Sequence, residues 1–325
     1  MNMNTKSSQT SPFLELAANQ NCSMSRALEV LGDVWAFLVL RELFFGIRRF
    51  GVIKQNLGIA GTTLSLRLEK LEEHQVLARH LYLEKPKRYE YRLTQKGLAL
   101  YPALVSLLMW EDEWNPSETG APLLLTHKPC GHSLKTLIVC SHCKKEVSAK
   151  DVEPREGKKY VAPPAGSKNA SRLSSNTSLY LHGRTCSVAR ALVTIGDRWS
   201  FQILRASFFG VKRFEDFARL LTIARNVLTS RLKKLINKGI FERQQYDSKP
   251  PRFEYILTPK GLALYGSCLL LIGWGDAWEN NDEGAPILLH HRHCNHLFSG
   301  ELVCRQCNQL VDPREIEFNV VSNKV

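Results

Sequence analysis

The hydrophobic pattern of this chain is written twice. In the first copy, apolar residues fall at helical spacing over Ser25–Leu31 and Trp35–Phe45, parted at Gly32-Asp33 and stopped at Gly46. Phe50–Leu57 predicts a short third helix that ends at Gly58. Leu64, Leu68 and Leu71 then make one apolar face of an amphipathic helix over Thr62–Glu73, which Thr62 or Thr63 can cap. The period changes to two in Arg88-Tyr89-Glu90-Tyr91-Arg92-Leu93, which with Leu77–Leu83 predicts a hairpin turning at Glu84-Lys85-Pro86-Lys87. A long helix, capped by Thr94 and running to Trp114, closes the pattern.

Residues 186–317 repeat residues 22–153 without a gap, and roughly two in five positions are identical. Leu228, Leu232 and Leu235 repeat the apolar face, Ser248-Lys249-Pro250-Pro251 the hairpin tip, and Thr258 the cap of a helix ending at Trp278. Three helices, a basic-tipped hairpin and a closing helix describe a winged helix-turn-helix. The fold class expected is mainly α with small β (α+β): two tandem winged helix-turn-helix domains, each followed by a small zinc-ribbon-like module. The layout is a polar tail (1–21), domain one (22–115), ribbon one (120–154), a linker (155–185), domain two (186–279), ribbon two (284–318) and a tail (319–325). The linker is rich in Pro, Gly, Ser and Lys, and as a flexible coil it would have an average end-to-end distance of roughly 30 Å, short of its full extension.

Charge turns this architecture towards a partner. The formal net charge is +13, which favours a polyanion, with nucleic acid ahead of membrane. The second helix of a helix-turn-helix enters the major groove of double-stranded DNA. With the three leucines buried, the outward face of copy one carries Thr62, Ser65, Leu66, Glu69 and Lys70, with Arg67 on its flank, and Thr63 at the helix start is a further DNA-binding candidate. Copy two carries Asn226, Thr229, Ser230, Lys233 and Lys234, with Arg225 and Arg231. Asn pairs with adenine and Arg with guanine through two hydrogen bonds each. The wings add Lys85, Lys87 and Arg88 in copy one and Lys249 and Arg252 in copy two. Helix 225–239 has no acidic residue, whereas helix 61–75 has Glu69, Glu72 and Glu73, so copy two is expected to supply more of the phosphate affinity.

The string Cys-Ser-x-x-Arg-Ala-Leu, Gly-Asp-x-Trp, Leu-Arg, Phe-Phe-Gly-x-x-Arg-Phe, Leu-x-x-Arg-Leu-x-x-Leu and Tyr-x-Leu-Thr-x-x-Gly occurs in both copies, over about 22–114 and 186–278. It closely resembles the HxlR-type winged helix-turn-helix transcriptional regulators. The resemblance implies cytoplasmic DNA binding and a dimeric arrangement built from terminal helices. Two domains in one chain make an intramolecular pseudo-dimer the expected form, with a further homodimer left open. Half-sites one helical turn apart lie about 34 Å from each other, within reach of the linker. Because the two reading helices differ, an imperfect palindrome is the expected target.

Each copy ends in two Cys/His knuckles: His127-x-x-Cys130 with Cys140-x-x-Cys143, and His291-x-x-Cys294 with Cys304-x-x-Cys307. Three thiolates and one imidazole close the tetrahedral shell of a structural Zn²⁺. Each copy is expected to hold one zinc, two per chain. His132 and His296 compete for the histidine role, and His142 lies nearby with Gln306 as its counterpart. Relatives resembling this domain use a cysteine at the place of Cys22 and Cys186 as a thiol switch. Against this candidate redox role stands plain packing of a small residue at a helix start, with only Arg26 and Arg190 as nearby cations in the sequence. The signal is therefore left as redox or small-molecule.

The opening ten residues have no apolar segment, and the longest apolar runs are too short to span a bilayer. A cytoplasmic, non-enzymatic protein is expected, since no glutamate recurs beside the metal ligands as a general base. The rival reading is a winged-helix/zinc-ribbon module that grips protein partners of the transcription machinery rather than DNA.

Overall fold

The computed structural model describes residues 23–31, 33–116, 120–157, 180–181, 184–279 and 284–320. In copy one, helices α1 (Ser23–Leu31), α2 (Val34–Phe44), α3 (Phe50–Leu57) and α4 (Gly61–Glu73) precede the wing strands β1 (Leu77–Leu83) and β2 (Arg88–Leu93). Two helices close the domain, α5 (Gln95–Leu98) and α6 (Tyr101–Trp114). After the ribbon strands β3 (Leu123–His127), β4 (His132–Ser133), β5 (Thr136–Cys140) and β6 (Val152–Glu156) comes a two-residue hairpin, β7 (Tyr180–Leu181) with β8 (Arg184–Thr185). Copy two repeats the order as α7 (Ser187–Ile195), α8 (Arg198–Phe208), α9 (Phe214–Leu221), α10 (Arg225–Asn237), β9 (Phe241–Ser248), β10 (Pro251–Leu257), α11 (Pro259–Leu262) and α12 (Tyr265–Trp278). Its ribbon strands are β11 (Ile287–His291), β12 (His296–Leu297), β13 (Gly300–Cys304) and β14 (Ile316–Val320).

Two expectations about helix ends change. Neither Thr62 nor Thr63 caps α4; Ala60 holds the cap position without a side-chain bond. The closing helix is not continuous. Thr94 caps only the short α5, accepting from the Gly97 amide at 3.2 Å, and the chain restarts as α6 with Pro102 in its first turn, where no amide is needed. The short helix is pressed onto the backbone just before the first wing strand. A Cβ on Gly97 would lie 2.1 Å from the Val76 carbonyl oxygen, and one on Gly261 would lie 2.3 Å from that of Ile240.

The two copies exchange contacts reciprocally. Helix α1 packs on α12, and α7 packs on α6. Ser23 donates to the Asp276 carboxylate, and Ser187 Oγ donates to Asp112 Oδ1 at 2.5 Å. Trp110 Nε1 donates to the Lys260 carbonyl at 3.0 Å, and Trp274 Nε1 donates to that of Lys96 at 2.9 Å. Phe37 and Phe201 occupy equivalent places in the two copies and stack on each other with centroids 6.3 Å apart. Such contacts, where i meets j and j meets i, are those of an isologous two-fold interface, here within one chain. One contiguous core runs through both copies.

The ribbons correct the sequence reading most. They are not two separate modules. Strand β3 pairs with β14 of the other copy, β6 pairs with β11, and β5 pairs with β13 in a register that sets Ile138 opposite its own equivalent, Leu302. A lone hairpin is marginal and exposes an edge; exchange gives β3, β11 and β5 a partner strand from the other copy. The exchange also carries strand structure through Arg155 and Glu156, residues expected to be linker, and through Asn319 and Val320, expected to be tail.

Candidate nucleic-acid interface and metal centres

Helix α4 is anchored by Leu64, Leu68 and Leu71, and α10 by Leu228, Leu232 and Leu235, none more than 1% exposed. Burying three leucines contributes about 1.5–3 kcal/mol each, so the opposite faces are fixed in rotation. In α4 that face exposes Thr62, Leu66 and Glu69, with Thr63, Ser65 and Lys70 half-buried. In α10 it exposes Arg225, Asn226, Thr229, Ser230 and Lys233. Leu66 is 59% exposed, an apolar side chain on the outward face of the helix.

Not every cation on these helices is free. Asp33 caps α2 by accepting from the amides of Trp35 and Ala36 at 3.0 and 3.3 Å, and also takes two bonds from the Arg67 guanidinium, at 2.6 and 3.0 Å. In copy two, Asp197 caps α8 through the Ser200 amide at 3.1 Å and accepts from Arg231 Nε at 2.8 Å, with Lys234 Nζ 3.5 Å away. Arg67 therefore ties α4 to the cap of α2, and Arg231 ties α10 to the cap of α8. They set the tilt of these helices and have little left to offer a base. Burial lowers the pKa of both Lys70 and Lys234. Arg225 pairs with Glu215 at 2.8 Å, but both side chains are about two-thirds exposed, and a phosphate can displace so exposed a pair.

Lys85, Lys87 and Arg88 stand exposed at the first wing, and Lys249 and Arg252 at the second. The structure adds cations that sequence reasoning passed over. Arg48 and Arg49, with their equivalents Lys212 and Arg213, are exposed beside the wings. The Tyr91 amide donates to the Arg48 carbonyl and the Tyr255 amide to that of Lys212, both at 2.8 Å. Arg49 lies over the Tyr82 ring at 4.8 Å and Arg213 over Tyr246 at 4.5 Å. The signal was a basic pair after Phe-Phe-Gly in both copies.

The eight knuckle residues come together, but across copies. One cluster joins His127 and Cys130 to Cys304 and Cys307; the other joins Cys140 and Cys143 to His291 and Cys294. The expectation of one site within each copy is thus overturned by the strand exchange, although the count of two clusters stands. In the first cluster, His127 Nδ1 lies 3.4 Å from Cys130 Sγ and 3.3 Å from Cys307 Sγ, and Cys130 Sγ is 3.9 Å from Cys304 Sγ. In the second, His291 Nδ1 is 3.4 Å from both Cys143 Sγ and Cys294 Sγ, and Cys140 Sγ is 3.9 Å from Cys294 Sγ. A tetrahedral zinc with ordinary bond lengths has S···S edges of about 3.8 Å and S···N edges of about 3.6 Å. The donor set fits a divalent ion. His132 and His296, the competing histidines, lie exposed outside both clusters.

Cys22 lies outside the described residues. Cys186 is buried, 3% exposed, at the start of α7. A cation absent from the sequence reading meets it: Arg41, from the other copy. Burial works to lower the pKa of Arg41, yet Cys186 and Glu42 hold it above its ordinary value. Glu42 accepts from Arg41 Nη2 at 2.6 Å and from Asn56 at 2.7 Å. Among the described residues, no helix is long and apolar enough to cross a membrane.

The profile of the HxlR-like helix-turn-helix family matches residues 30–119 and again 194–283. An HTH-type transcriptional regulator of Mycobacterium tuberculosis (strain ATCC 25618 / H37Rv) is 44% identical over 145 residues, which make 45% of this chain and 92% of that relative. One from Synechocystis sp. (strain ATCC 27184 / PCC 6803 / Kazusa) is 39% identical over 106 residues, 32% of this chain and 78% of the relative. Among solved structures, the redox regulator HypR in its reduced form is 33% identical, with a TM-score of 0.28 over 29% of this chain and 93% of that one. The two matched segments exceed half of the sequence, and the chain belongs to the HxlR-like helix-turn-helix family of transcriptional regulators.

Proposed function

We propose that one chain acts on double-stranded DNA as a pseudo-dimer, reading two unlike half-sites with α4 and α10. The observation that carries this reading is the reciprocal exchange of α1 with α12 and α7 with α6. It gives one polypeptide the isologous contacts that two subunits would otherwise supply. Asn226, Thr229, Ser230 and Lys233 read one half-site; Thr62, Thr63, Ser65 and Leu66 read the other. Arg48, Arg49, Lys212, Arg213 and the wing cations Lys85, Lys87, Arg88, Lys249 and Arg252 hold phosphates, which position the protein without specifying sequence.

Zinc at the two clusters would be structural. Each ion takes two ligands from each copy, so it staples the copies together and leaves no coordination position open for chemistry. His127, Cys130, Cys304 and Cys307 hold one ion; Cys140, Cys143, His291 and Cys294 hold the other. On the signal, the Arg41 guanidinium beside Cys186 supplies the cation that a redox-sensitive thiolate needs, and oxidation there would disturb an inter-copy contact.

Selection of bound sites from a random DNA pool, followed by footprinting, tests the reading. A bipartite, imperfectly symmetric site is expected. Enrichment of no sequence, with weak binding lost at moderate salt, would return the protein to the rival class of interaction modules.

A further inference from the structure

The exposed residues of α4 are Thr62, Leu66, Glu69 and Glu73, and none of them is a cation. The cations of this helix are engaged elsewhere. Arg67 is held by Asp33, and Lys70 is half-buried, with its pKa lowered by burial. The equivalent positions of α10 carry Asn226, Ser230, Lys233 and Asn237, all exposed and all polar or charged. The two helices are anchored alike, by Leu64, Leu68 and Leu71 and by Leu228, Leu232 and Leu235, so the exchange of Leu66 for Ser230 falls at one and the same outward place.

What α4 can discriminate follows from this list. The hydroxyl of Thr62 donates or accepts alike and so separates the bases poorly. Glu69 and Glu73 repel phosphates, which cations such as Lys233 neutralise. Leu66, 59% exposed in the N-terminal half of the helix, is the one exposed group on α4 with nothing to gain from a hydrogen-bonding edge. Of the four bases, only thymine presents an apolar group in the major groove, its C5-methyl.

We infer that Leu66 is a specificity-determining residue that packs on a thymine methyl in the half-site under α4. The assignment rests on the proposed entry of α4 into the major groove and names what the helix reads there. One half-site is then read by apolar contact and the other by hydrogen bonds and charge, and this chemical difference sets the orientation of the chain on an imperfect palindrome.

The test is a uracil scan. A duplex selected by the full-length chain is prepared with each thymine in turn replaced by uracil, which lacks the C5-methyl and keeps every hydrogen-bonding group. Binding is titrated for the unaltered protein and for Leu66→Ser, which copies Ser230. In the unaltered protein, uracil at one thymine of one half-site is expected to weaken binding about fourfold, the effect of withdrawing one buried apolar carbon. Leu66→Ser is expected to bind thymine and uracil equally at that position. The thymine-to-uracil ratio is taken within each protein, so a change in stability cancels. The same ratio in both proteins at every thymine, or a selected site with no thymine in either half, would overturn the role of Leu66 and leave DNA reading intact. Failure to select any sequence would overturn the DNA reading and this role with it.

Discussion

Cys130 Sγ lies 3.9 Å from Cys304 Sγ, although 174 residues separate them along the chain. The same distance joins Cys140 to Cys294. Each pair needs only a small closing movement to reach disulfide geometry. Stoichiometric oxidation of the full chain, followed by peptide mapping, should therefore yield Cys130–Cys304 and Cys140–Cys294 links in excess of Cys130–Cys140 and Cys294–Cys304 links. Dominant Cys130–Cys140 or Cys294–Cys304 links would mean that each copy closes its own cluster.

The packing of α1 on α12 depends on a missing side chain. A Cβ on Gly275 would lie 2.1 Å from the Ser23 carbonyl oxygen, a backbone atom that cannot swing away. Gly275→Ala should destabilise the chain by about 1–3 kcal/mol, as overpacking does, and lower its melting temperature. Gly273, two residues earlier on the same helix, has only Ser299 Cβ at 4.0 Å. There Ala should be neutral or stabilising by up to about 1 kcal/mol from helix propensity. Equal melting temperatures for the two variants would argue against the close contact.

The same junction titrates. Burial pushes Asp276 up to about 6, against the pull of the Ser23 hydrogen bond and the Arg26 charge. Its folded value thus exceeds the unfolded one of about 3.9. Stability from this group is complete below about pH 4 and is lost as pH rises through about 6, amounting to about 3 kcal/mol at most. Glu111 and Asp112, across the equivalent junction, are raised by burial too and add in the same direction. Asp276→Asn keeps an acceptor for Ser23 and should flatten, in part, the fall of stability between pH 4 and 7 in urea titrations. An unchanged slope would show that Asp276 is not held in its protonated form.

Much of this was legible in the chain, and what was not has definite causes. The leucine faces of α4 and α10 were readable because burial of one helix face leaves a period in the sequence. The pairing of Asp33 with Arg67 was not, since 34 residues lie between them and no local pattern links a cap to a distant helix. Ligand exchange was hidden by the duplication itself. Cys140 is as compatible by spacing with His127 as with His291, so a repeated motif cannot tell its own partner from the other copy's. The phosphate-facing role proposed for Arg48 and Arg49 emerges only once the wing folds back over their loop.

Within α10, two neighbouring lysines differ in how free they are. Lys233 is exposed, while Lys234 leans on Asp197. Lys233→Ala should lower the slope of log affinity against log salt by about 1. Lys234→Ala should change the slope less and cost more in thermal stability. Reversal of that order in salt titrations with a fixed DNA duplex would reject the assignment.

The central claim is that one chain supplies both halves of a DNA-reading dimer. Native mass spectrometry of the chain on a selected duplex, paired with a footprint, tests it most directly. One chain per duplex is expected, with both half-sites protected about one helical turn apart. Two chains per duplex, each protecting a single half-site, would contradict it.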